Sequence, residues 1–171
     1  MTKTTPEQNK ALVLEAFDTL FNKRDYARAE TFWSPKYIQH SAHIEPGREG
    51  LFNLVKSTPA TLRYEPGLIV ADGDFVIVHG RFSGLGLPVN WIAADILRIE
   101  NGILVEHWDV IQDEATKKQS KSKARCLAYP FPCSRDLGRR SASFEAHRMS
   151  RTMSTTPREV LLSADTLGDL N

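Results

Sequence analysis

The sequence has little of what thiol chemistry or a membrane span requires. Only two of its 171 residues are cysteine, Cys126 and Cys133, and both lie in the C-terminal part of the chain. No apolar run approaches the roughly 18 residues that span a bilayer. The N-terminal segment MTKTTPEQNK lacks the apolar stretch of a secretory signal. These absences favour a cytoplasmic protein with no membrane partner and no thiol nucleophile in its core.

Spacings typical of metal, phosphate or nucleic-acid sites are also missing. His40 and His43 stand close together, but no HExxH or CxxC spacing accompanies them, so we expect no metal. Gly84 and Gly86 lack the strand–helix context of a phosphate-binding loop. The basic residues near the C-terminus are not interleaved with aromatics, which argues against a nucleic-acid partner.

The distribution of charge divides the chain near residue 115. Residues 1–115 carry a net charge of −5 and all three tryptophans, whereas residues 116–171 carry +6 and are rich in Ser and Arg. An abrupt change of sign marks a boundary, and the second part shows no sustained helical or strand periodicity. We therefore predict a folded domain over 1–115 and a basic, largely disordered tail over 116–171.

Local signals predict helices first and then a meander of strands, which is the α+β class. Thr5, Pro6 and Gln8 form a capping box at the start of a first helix. A second, short helix should include Trp33 and end at Ser34-Pro35, and a third should run from Pro46 to about Lys56. Strands are expected over 62–70, 75–82, 89–100 and 103–111, with two-residue turns at Asp72-Gly73 and Asn101-Gly102.

The last of these hairpins brings two titratable residues together. A two-residue turn fixes the register, so Asp109 is expected opposite Ala94 and His107 opposite Ile96. His107 and Asp109 then share one face, where the small side chain of Ala94 leaves room for a cavity. In the same register Asp95 lies on the other face.

Such a pair can carry out acid/base chemistry. Loss of hydration in an apolar cavity raises the pKa of a carboxyl group, and a nearby imidazolium lowers it. An aspartate of this kind takes a proton from a carbon next to a carbonyl group and returns it to oxygen, without metal or cofactor. A histidine beside it stabilises the developing enolate. The alternative is that both residues are half-solvated at the end of the strand and serve the structure only.

Both faces of this hairpin are largely apolar, with Ile92 and Ile111 on one face and Leu97 and Trp108 on the other. Sheets that are apolar on both faces are covered on both. Because the helices can cover only one face, we expect the outer face to meet a second copy of the chain in a homodimer.

The run WIAADILRIENGILVEHWDVIQ, together with YIQHSAHIEPGREG and the N-terminal helices, resembles the SnoaL-like polyketide cyclase branch of the NTF2-like superfamily over about residues 7–115. The resemblance implies an α+β cone, in which N-terminal helices pack on a strongly bent antiparallel sheet that encloses an apolar pocket. It also implies a dimer and a cofactor-free intramolecular aldol condensation with a pocket aspartate as acid and base.

By motif, that aspartate corresponds to Asp109, and a second polar pocket residue corresponds to a position near Asp95. A β-bulge would be needed to turn Asp95 into the pocket. Tyr37 and His40, from the YIQH segment, would line the pocket mouth. Three large aromatics are further candidates for substrate contact, although side chains of this kind are more often core: Trp33, Phe52 and Trp91.

The sequence thus predicts a cofactor-independent cyclase, lyase or isomerase for a small hydrophobic carbonyl compound, with Asp109 as acid/base and His107 and Asp95 as its catalytic partners. The alternative is a non-catalytic module that binds a small hydrophobic ligand, or a dimeric scaffold. An Arg–Asp–Asp set like that of epoxide hydrolases on this fold is not evident, since Arg81 or Arg98 would have to supply it. The enzyme hypothesis requires Asp109 to lie inside a cavity.

Overall fold

The structure, a computed structural model, describes residues 3–124 and 127. The prediction of a disordered tail falls mostly on residues outside this part. No helix in the described part is long and apolar enough to cross a membrane.

Three helices precede the main run of strands. The segments are α1 (Pro6–Phe17), which continues as a π-helical segment (Asp18–Lys23), then α2 (Tyr26–Ala29) and α3 (Gly47–Ser57). The predicted capping box is confirmed, because the Gln8 backbone N–H donates to Thr5 Oγ1 and the Thr5 N–H donates to Gln8 Oε1. The π-helical segment ends at Arg24, which adopts a left-handed φ of 55°.

Five strands form one open sheet. They are β1 (Trp33–Gln39), β2 (Arg63–Asp72), β3 (Phe75–Ser83), β4 (Trp91–Glu100) and β5 (Ile103–Asp113), arranged in the order β1-β5-β4-β3-β2. Strands β2 to β5 are the predicted antiparallel meander. The edge strand β1 pairs with β5 in parallel, so the sheet is mixed and the predicted α+β class is confirmed.

The segment from Trp33 to Pro35 belongs to this edge strand. The prediction that these residues complete and end a helix is wrong, since α2 stops at Ala29 and Trp33 pairs with Leu104 of β5. Pro35 is compatible with a strand here because β1 lies at the edge of the sheet, where a missing backbone donor is tolerated.

The turn at Asn101-Gly102 forms as predicted, but the register beyond it does not. Both turn residues have positive φ, 52° and 77°, as a two-residue hairpin of this type requires. Ile99 pairs with Leu104 and Arg98 with Glu106, so that Val105 is the additional residue of a β-bulge.

The bulge corrects the predicted partners of both titratable residues. Asp109 pairs with Asp95 rather than Ala94, and His107 pairs with Leu97 rather than Ile96. Because one added residue reverses which side chains share a face, Asp95 lies on the same face as His107 and Asp109. This face is the inner one, against which the helices pack.

Aromatic rings fill much of the space between the helices and the inner face. The ring centroid of Tyr64 lies 5.2 Å from that of Phe17 and 4.7 Å from that of Phe82. Asn22 holds Tyr64 in place, since it accepts from the Tyr64 N–H at 2.8 Å and donates to the Tyr64 carbonyl at 3.1 Å. The helical layer is thereby hydrogen-bonded to β2.

Candidate active site

The inner face of β4 and β5 carries three titratable side chains in one group. His107 Nε2 lies 3.0 Å from Asp95 Oδ1, and both residues are only 4% exposed. Asp109 follows two positions after His107 on β5 and pairs directly with Asp95. One ligand atom from each of the three residues lies within 4.8 Å of the others. The bulge at Val105 thus creates a group that simple alternation did not predict.

A fourth polar residue, Gln39, completes the surroundings of His107. The parallel pairing of β1 and β5 places Gln39 beside His107, and Gln39 Oε1 lies 2.8 Å from His107 Nδ1. The same oxygen accepts from the Ser41 backbone N–H at 3.1 Å. The sequence alone indicated no role for Gln39, because nothing local shows which strand lies next to β1.

Burial is the main influence on the protonation of Asp95. Loss of hydration raises the pKa of Asp95 above its usual 3.8, and the hydrogen bond and charge of His107 oppose this rise. The nearby carboxyl group of Asp109 raises the pKa of Asp95 further, and His79 on β3 lowers it slightly. Asp95 therefore retains its proton to higher pH than an exposed aspartate. Its second oxygen, Oδ2, is buried and makes no hydrogen bond within the described residues.

The three titratable residues line a cavity of about 620 Å³, including the part open to solvent. Helical residues such as Phe17 and Leu51 form one wall, and strand and loop residues such as Phe82, Leu85 and Ile111 form the others. Among the described residues, neither a Lys nor an Arg lines the cavity. The walls of the cavity are therefore mostly apolar, and its titratable groups are His43 and Tyr37 besides the three on the inner face of β4 and β5.

Two tyrosines lie close enough to Asp95 to be influenced by its charge. Tyr37 lines the cavity and is 4% exposed; burial raises its pKa strongly, Trp33 opposes this rise, and the carboxyl groups of Asp95 and Asp109 add to it. Burial also raises the pKa of Tyr64, with a further contribution from Asp95. Both phenols therefore remain protonated and are able to donate a hydrogen bond at neutral pH.

Of the remaining residues that the sequence indicated, one lies on the cavity wall. Trp91 lines the cavity, with its ring centroid 5.5 Å from that of His43. Trp33 and Phe52, each 1% exposed, pack edge to face with centroids 5.7 Å apart in the core and are not among the lining residues.

His40 lies on the outer face of the sheet. Its ring stacks on Trp108 at 4.8 Å with an interplanar angle of 2°, and its Nε2 lies 2.9 Å from Glu106 Oε1. The alternation of β1 explains this placement, because Tyr37 and Gln39 point inward and the residues between and after them point outward. His40 therefore does not reach the cavity mouth that the family resemblance suggested.

Both arginines that would have to complete an epoxide-hydrolase set are engaged elsewhere. Arg81 forms ion pairs with Glu65 at 2.7 Å and Glu114 at 2.8 Å. Arg98 forms an ion pair with Glu106 at 2.7 Å on the outer face. Within the part of the chain that the structure describes, neither arginine lines the cavity.

Asp95, His107 and Asp109 also have the donor types of a small metal site. Both nitrogens of His107 already have close partners, Gln39 at Nδ1 and Asp95 at Nε2. A metal ion could bind His107 only by displacing one of these contacts. The geometry therefore fits a proton-sharing network better than a metal centre.

Comparisons with known proteins agree with this fold. The family model of the SnoaL-like polyketide cyclases matches residues 11–120. A candidate ketosteroid isomerase from Kribbella flavida is similar in structure, with a TM-score of 0.56, 20% sequence identity, and coverage of 81% of this chain and 93% of its own. No curated protein matches the chain.

Two further solved structures show the same likeness. AclR, a candidate hydroxylase from Streptomyces galilaeus, has a TM-score of 0.52 and 28% identity, and the match covers 63% of this chain and 91% of AclR. An NTF2-like protein of unknown function from Cytophaga hutchinsonii has a TM-score of 0.54 and 17% identity, over 65% of this chain and 95% of its own. The predicted NTF2-like fold is confirmed.

Proposed function

The chain belongs to the SnoaL-like polyketide cyclase family, and we propose that it is a cofactor-independent acid/base enzyme for a small hydrophobic carbonyl compound. The reaction is of the aldol-cyclase, lyase or isomerase type. One observation carries the proposal: Asp95, His107 and Asp109 stand together on the wall of a cavity that is lined mostly by apolar residues. Titratable groups gathered in a mostly apolar cleft are typical of catalytic sites.

In the aldol case the proposed step is balanced without any co-reactant. The Asp109 carboxylate takes a proton from the carbon next to a carbonyl group, and the electrons of the broken C–H bond form an enolate. The enolate carbon bonds to a second carbonyl carbon of the same molecule. The alkoxide formed there takes the proton back from Asp109, so the product is an isomer of the substrate and the carboxylate is restored.

The surroundings of Asp109 support this role. His107 and Asp95 line the cavity beside it. Oδ2 of Asp95, which makes no hydrogen bond within the described residues, would meet the enolate oxygen, where negative charge develops. The apolar walls exclude water, which strengthens such interactions. Since no Lys or Arg of residues 3–124 lines the cavity, these residues offer no lysine or arginine charge to a carboxylate or phosphate, and an uncharged carbonyl compound is the better fit.

Deuterium exchange tests the proposal without knowledge of the natural substrate. The protein is incubated in D₂O with a panel of 1,3-dicarbonyl and aryl-ketone compounds, and deuterium incorporation next to the carbonyl group is measured. We expect exchange with the wild type and a loss of at least about 100-fold in Asp109→Asn, the usual range for removal of a general base. Asp113→Asn is the matched control, because Asp113 is exposed on the same strand.

Exchange that persists in Asp109→Asn would remove Asp109 from the role of base. If no panel compound exchanges with the wild type, the alternative gains weight: a module that binds a small hydrophobic ligand without transforming it. Retention of such ligands by both the wild type and Asp109→Asn would then support the binding module.

We also propose that the outer sheet face forms a homodimer. Large apolar side chains are exposed along this face, including Val70 at 47%, Phe75 at 45%, Ile77 at 42% and Val110 at 69%. The helices cover the opposite, inner face, and an exposed apolar sheet of this kind is typically covered by another layer.

Sedimentation tests the dimer. We expect the wild type at twice the 19.2 kDa mass of the chain and Val110→Lys at the single-chain mass, because a buried unpaired charge opposes association. Leu87→Lys is the control: Leu87 is 48% exposed but lies in the loop between β3 and β4. A wild type that sediments as a single chain would contradict the proposal.

A further inference from the structure

We infer that Gln39 is a positioning residue for the catalytic group: its side-chain oxygen holds a proton on Nδ1 of His107, so that Nε2 and Asp95 share a second, transferable proton. The inference rests on the proposed function and adds to it the source of the acid proton. It follows from three hydrogen-bond contacts whose directions constrain one another.

The backbone of Ser41 determines the orientation of the Gln39 amide. The Ser41 backbone N–H can only donate, and it points at Oε1 of Gln39 from 3.1 Å. If the amide were turned round, an NH₂ group would face this N–H, and two donors would oppose each other. The oxygen therefore occupies this position, and Ser41 fixes the orientation through its main chain.

The Gln39 oxygen in turn determines the tautomer of His107. The Gln39 oxygen that faces Ser41 also lies 2.8 Å from His107 Nδ1. Because an amide oxygen only accepts, Nδ1 must carry a hydrogen for this contact to be a hydrogen bond. The pairing of β1 with β5 maintains the contact, since the His40 N–H donates to the His107 carbonyl at 3.0 Å.

On the other side of the ring, the contact between His107 Nε2 and Asp95 requires a second proton. With Nδ1 protonated, a neutral His107 presents a bare lone pair at Nε2, only 3.0 Å from Asp95 Oδ1. Two acceptors at this distance in a buried site repel, so a proton must lie between them. Either Asp95 is protonated and donates to Nε2, or the ring is doubly protonated and donates to the carboxylate. Both arrangements contain the same number of protons and the same net charge of zero.

Gln39 therefore changes how many protons the pair holds. Without its oxygen, the neutral ring would place its single proton on Nε2 and donate to an ionised Asp95, as is common for buried His–Asp pairs. That arrangement holds one proton fewer. With Gln39 in place, the additional proton is available to the enolate oxygen: an O–H bond forms there as the Asp95 O–H or His107 N–H bond breaks. The proton returns when the enol reverts to a carbonyl compound.

Nitrogen NMR of the full chain labelled with ¹⁵N-histidine reads this arrangement directly. Two-bond ¹H–¹⁵N correlations distinguish Nδ1–H from Nε2–H, and the His107→Phe variant identifies which of the five histidines gives the signal. Two substitutions distinguish the side-chain oxygen of Gln39 from the size of its side chain. Gln39→Met removes the oxygen but has a similar length, and Gln39→Glu keeps an oxygen acceptor. Gln112→Met is the control, since Gln112 is exposed on β5.

We expect Nδ1 of His107 to carry a proton in the wild type, in Gln39→Glu and in Gln112→Met. In Gln39→Met the ratio of Nδ1–H to Nε2–H should fall by roughly tenfold or more, as the loss of one buried hydrogen bond implies. A bare Nδ1 in the wild type would overturn the inference, as would an unchanged ratio in a folded Gln39→Met variant. If Gln39→Met does not fold, the protonation of Nδ1 in the wild type and in Gln39→Glu decides.

The readout does not depend on catalysis, so the two proposals fail separately. If deuterium exchange is absent while Nδ1 is protonated as expected, the proposed function fails and the positioning role of Gln39 holds. Where exchange is measurable, its pH profile should shift in Gln39→Met and stay that of the wild type in the control Gln112→Met. A profile that is the same in all three proteins would show that Gln39 serves structure only.

Discussion

The contact between His107 and Asp95 is expected to appear as a coupling energy in unfolding. Replacing Asp95 alone leaves Nε2 of a buried imidazole without a partner, and replacing His107 alone leaves Asp95 without its hydrogen bond. Replacing both with apolar residues removes both unsatisfied groups together. We therefore expect Asp95→Val and His107→Leu to be strongly non-additive.

The magnitude follows from the burial and the hydrogen bonds. Breaking a fully charged buried pair costs about 3–5 kcal/mol, but burial raises the pKa of Asp95 and the carboxyl group can escape part of this cost by protonation. The cost of an unsatisfied buried group, about 1–3 kcal/mol, is then the better guide to each single substitution. With both groups removed, the loss should be smaller than the sum by about 1–3 kcal/mol.

Urea unfolding of the four proteins at pH 7 measures this coupling. Tryptophan fluorescence is a suitable signal, because all three tryptophans lie in the folded domain. The free energies are compared only if the dependence on urea is the same in each protein, since a change in it indicates an altered unfolded or native state.

A control cycle uses Leu87→Ala and Asn53→Ala, two exposed residues on a loop and on α3, away from the proposed dimer face. Their effects should add within about 0.5 kcal/mol. If the Asp95 and His107 substitutions add equally well, the two side chains do not depend on each other in the folded protein. Their 3.0 Å contact would then contribute no coupling energy, contrary to the prediction.

Three further predictions concern stability. Because the pKa of Asp95 is raised above 3.8 in the folded state, the folded protein binds more protons than the unfolded one above that pH, and stability falls as pH rises. Between pH 3 and 7, Asp95→Asn should therefore become increasingly stable relative to the wild type in thermal unfolding at stepped pH. A difference in melting temperature that stays constant with pH would contradict this. Tyr64→Phe should raise the free energy of unfolding by about 1 kcal/mol in urea titrations, since its buried hydroxyl makes no hydrogen bond within the described residues; a loss would reveal a partner for the hydroxyl. Deleting residues 117–171 should leave the melting temperature nearly unchanged in calorimetry, because the described strands end at Asp113, whereas a large drop would show that the tail contributes to the fold.

Features set by neighbouring residues could be predicted from the sequence. The capping box of Thr5 and Gln8 involves residues three apart, and the turn at Asn101-Gly102 needs only two residues that tolerate positive φ. Both form as expected. The third helix is similarly local, and its observed range, Gly47–Ser57, lies within one residue of the predicted one at each end.

Features set by distant contacts could not be predicted in this way. The residues around Ser34-Pro35 read as the end of a helix because their pairing partner lies about 70 positions away on β5. The bulge at Val105 could not be predicted from neighbouring residues, since the apolar pattern of the strand does not show where an additional residue is inserted. Gln39 was overlooked because its partner His107 is a neighbour only in the folded sheet.

The consequence for function is that the local sequence of the hairpin does not by itself encode an acid/base site. In the simple register, His107 would face Ile96 and Asp109 would face Ala94, and Asp95 would point away from both. The cavity would then contain a single carboxyl group beside an imidazole without a cross-strand partner. The bulge supplies Asp95 at 3.0 Å from Nε2, and the parallel edge strand supplies Gln39 at 2.8 Å from Nδ1. The protonation of each nitrogen of His107 thus depends on a different strand pairing, β4 with β5 for Nε2 and β1 with β5 for Nδ1. A change that alters either strand pairing should therefore alter the chemistry of the site, even where all the residues of the site are retained.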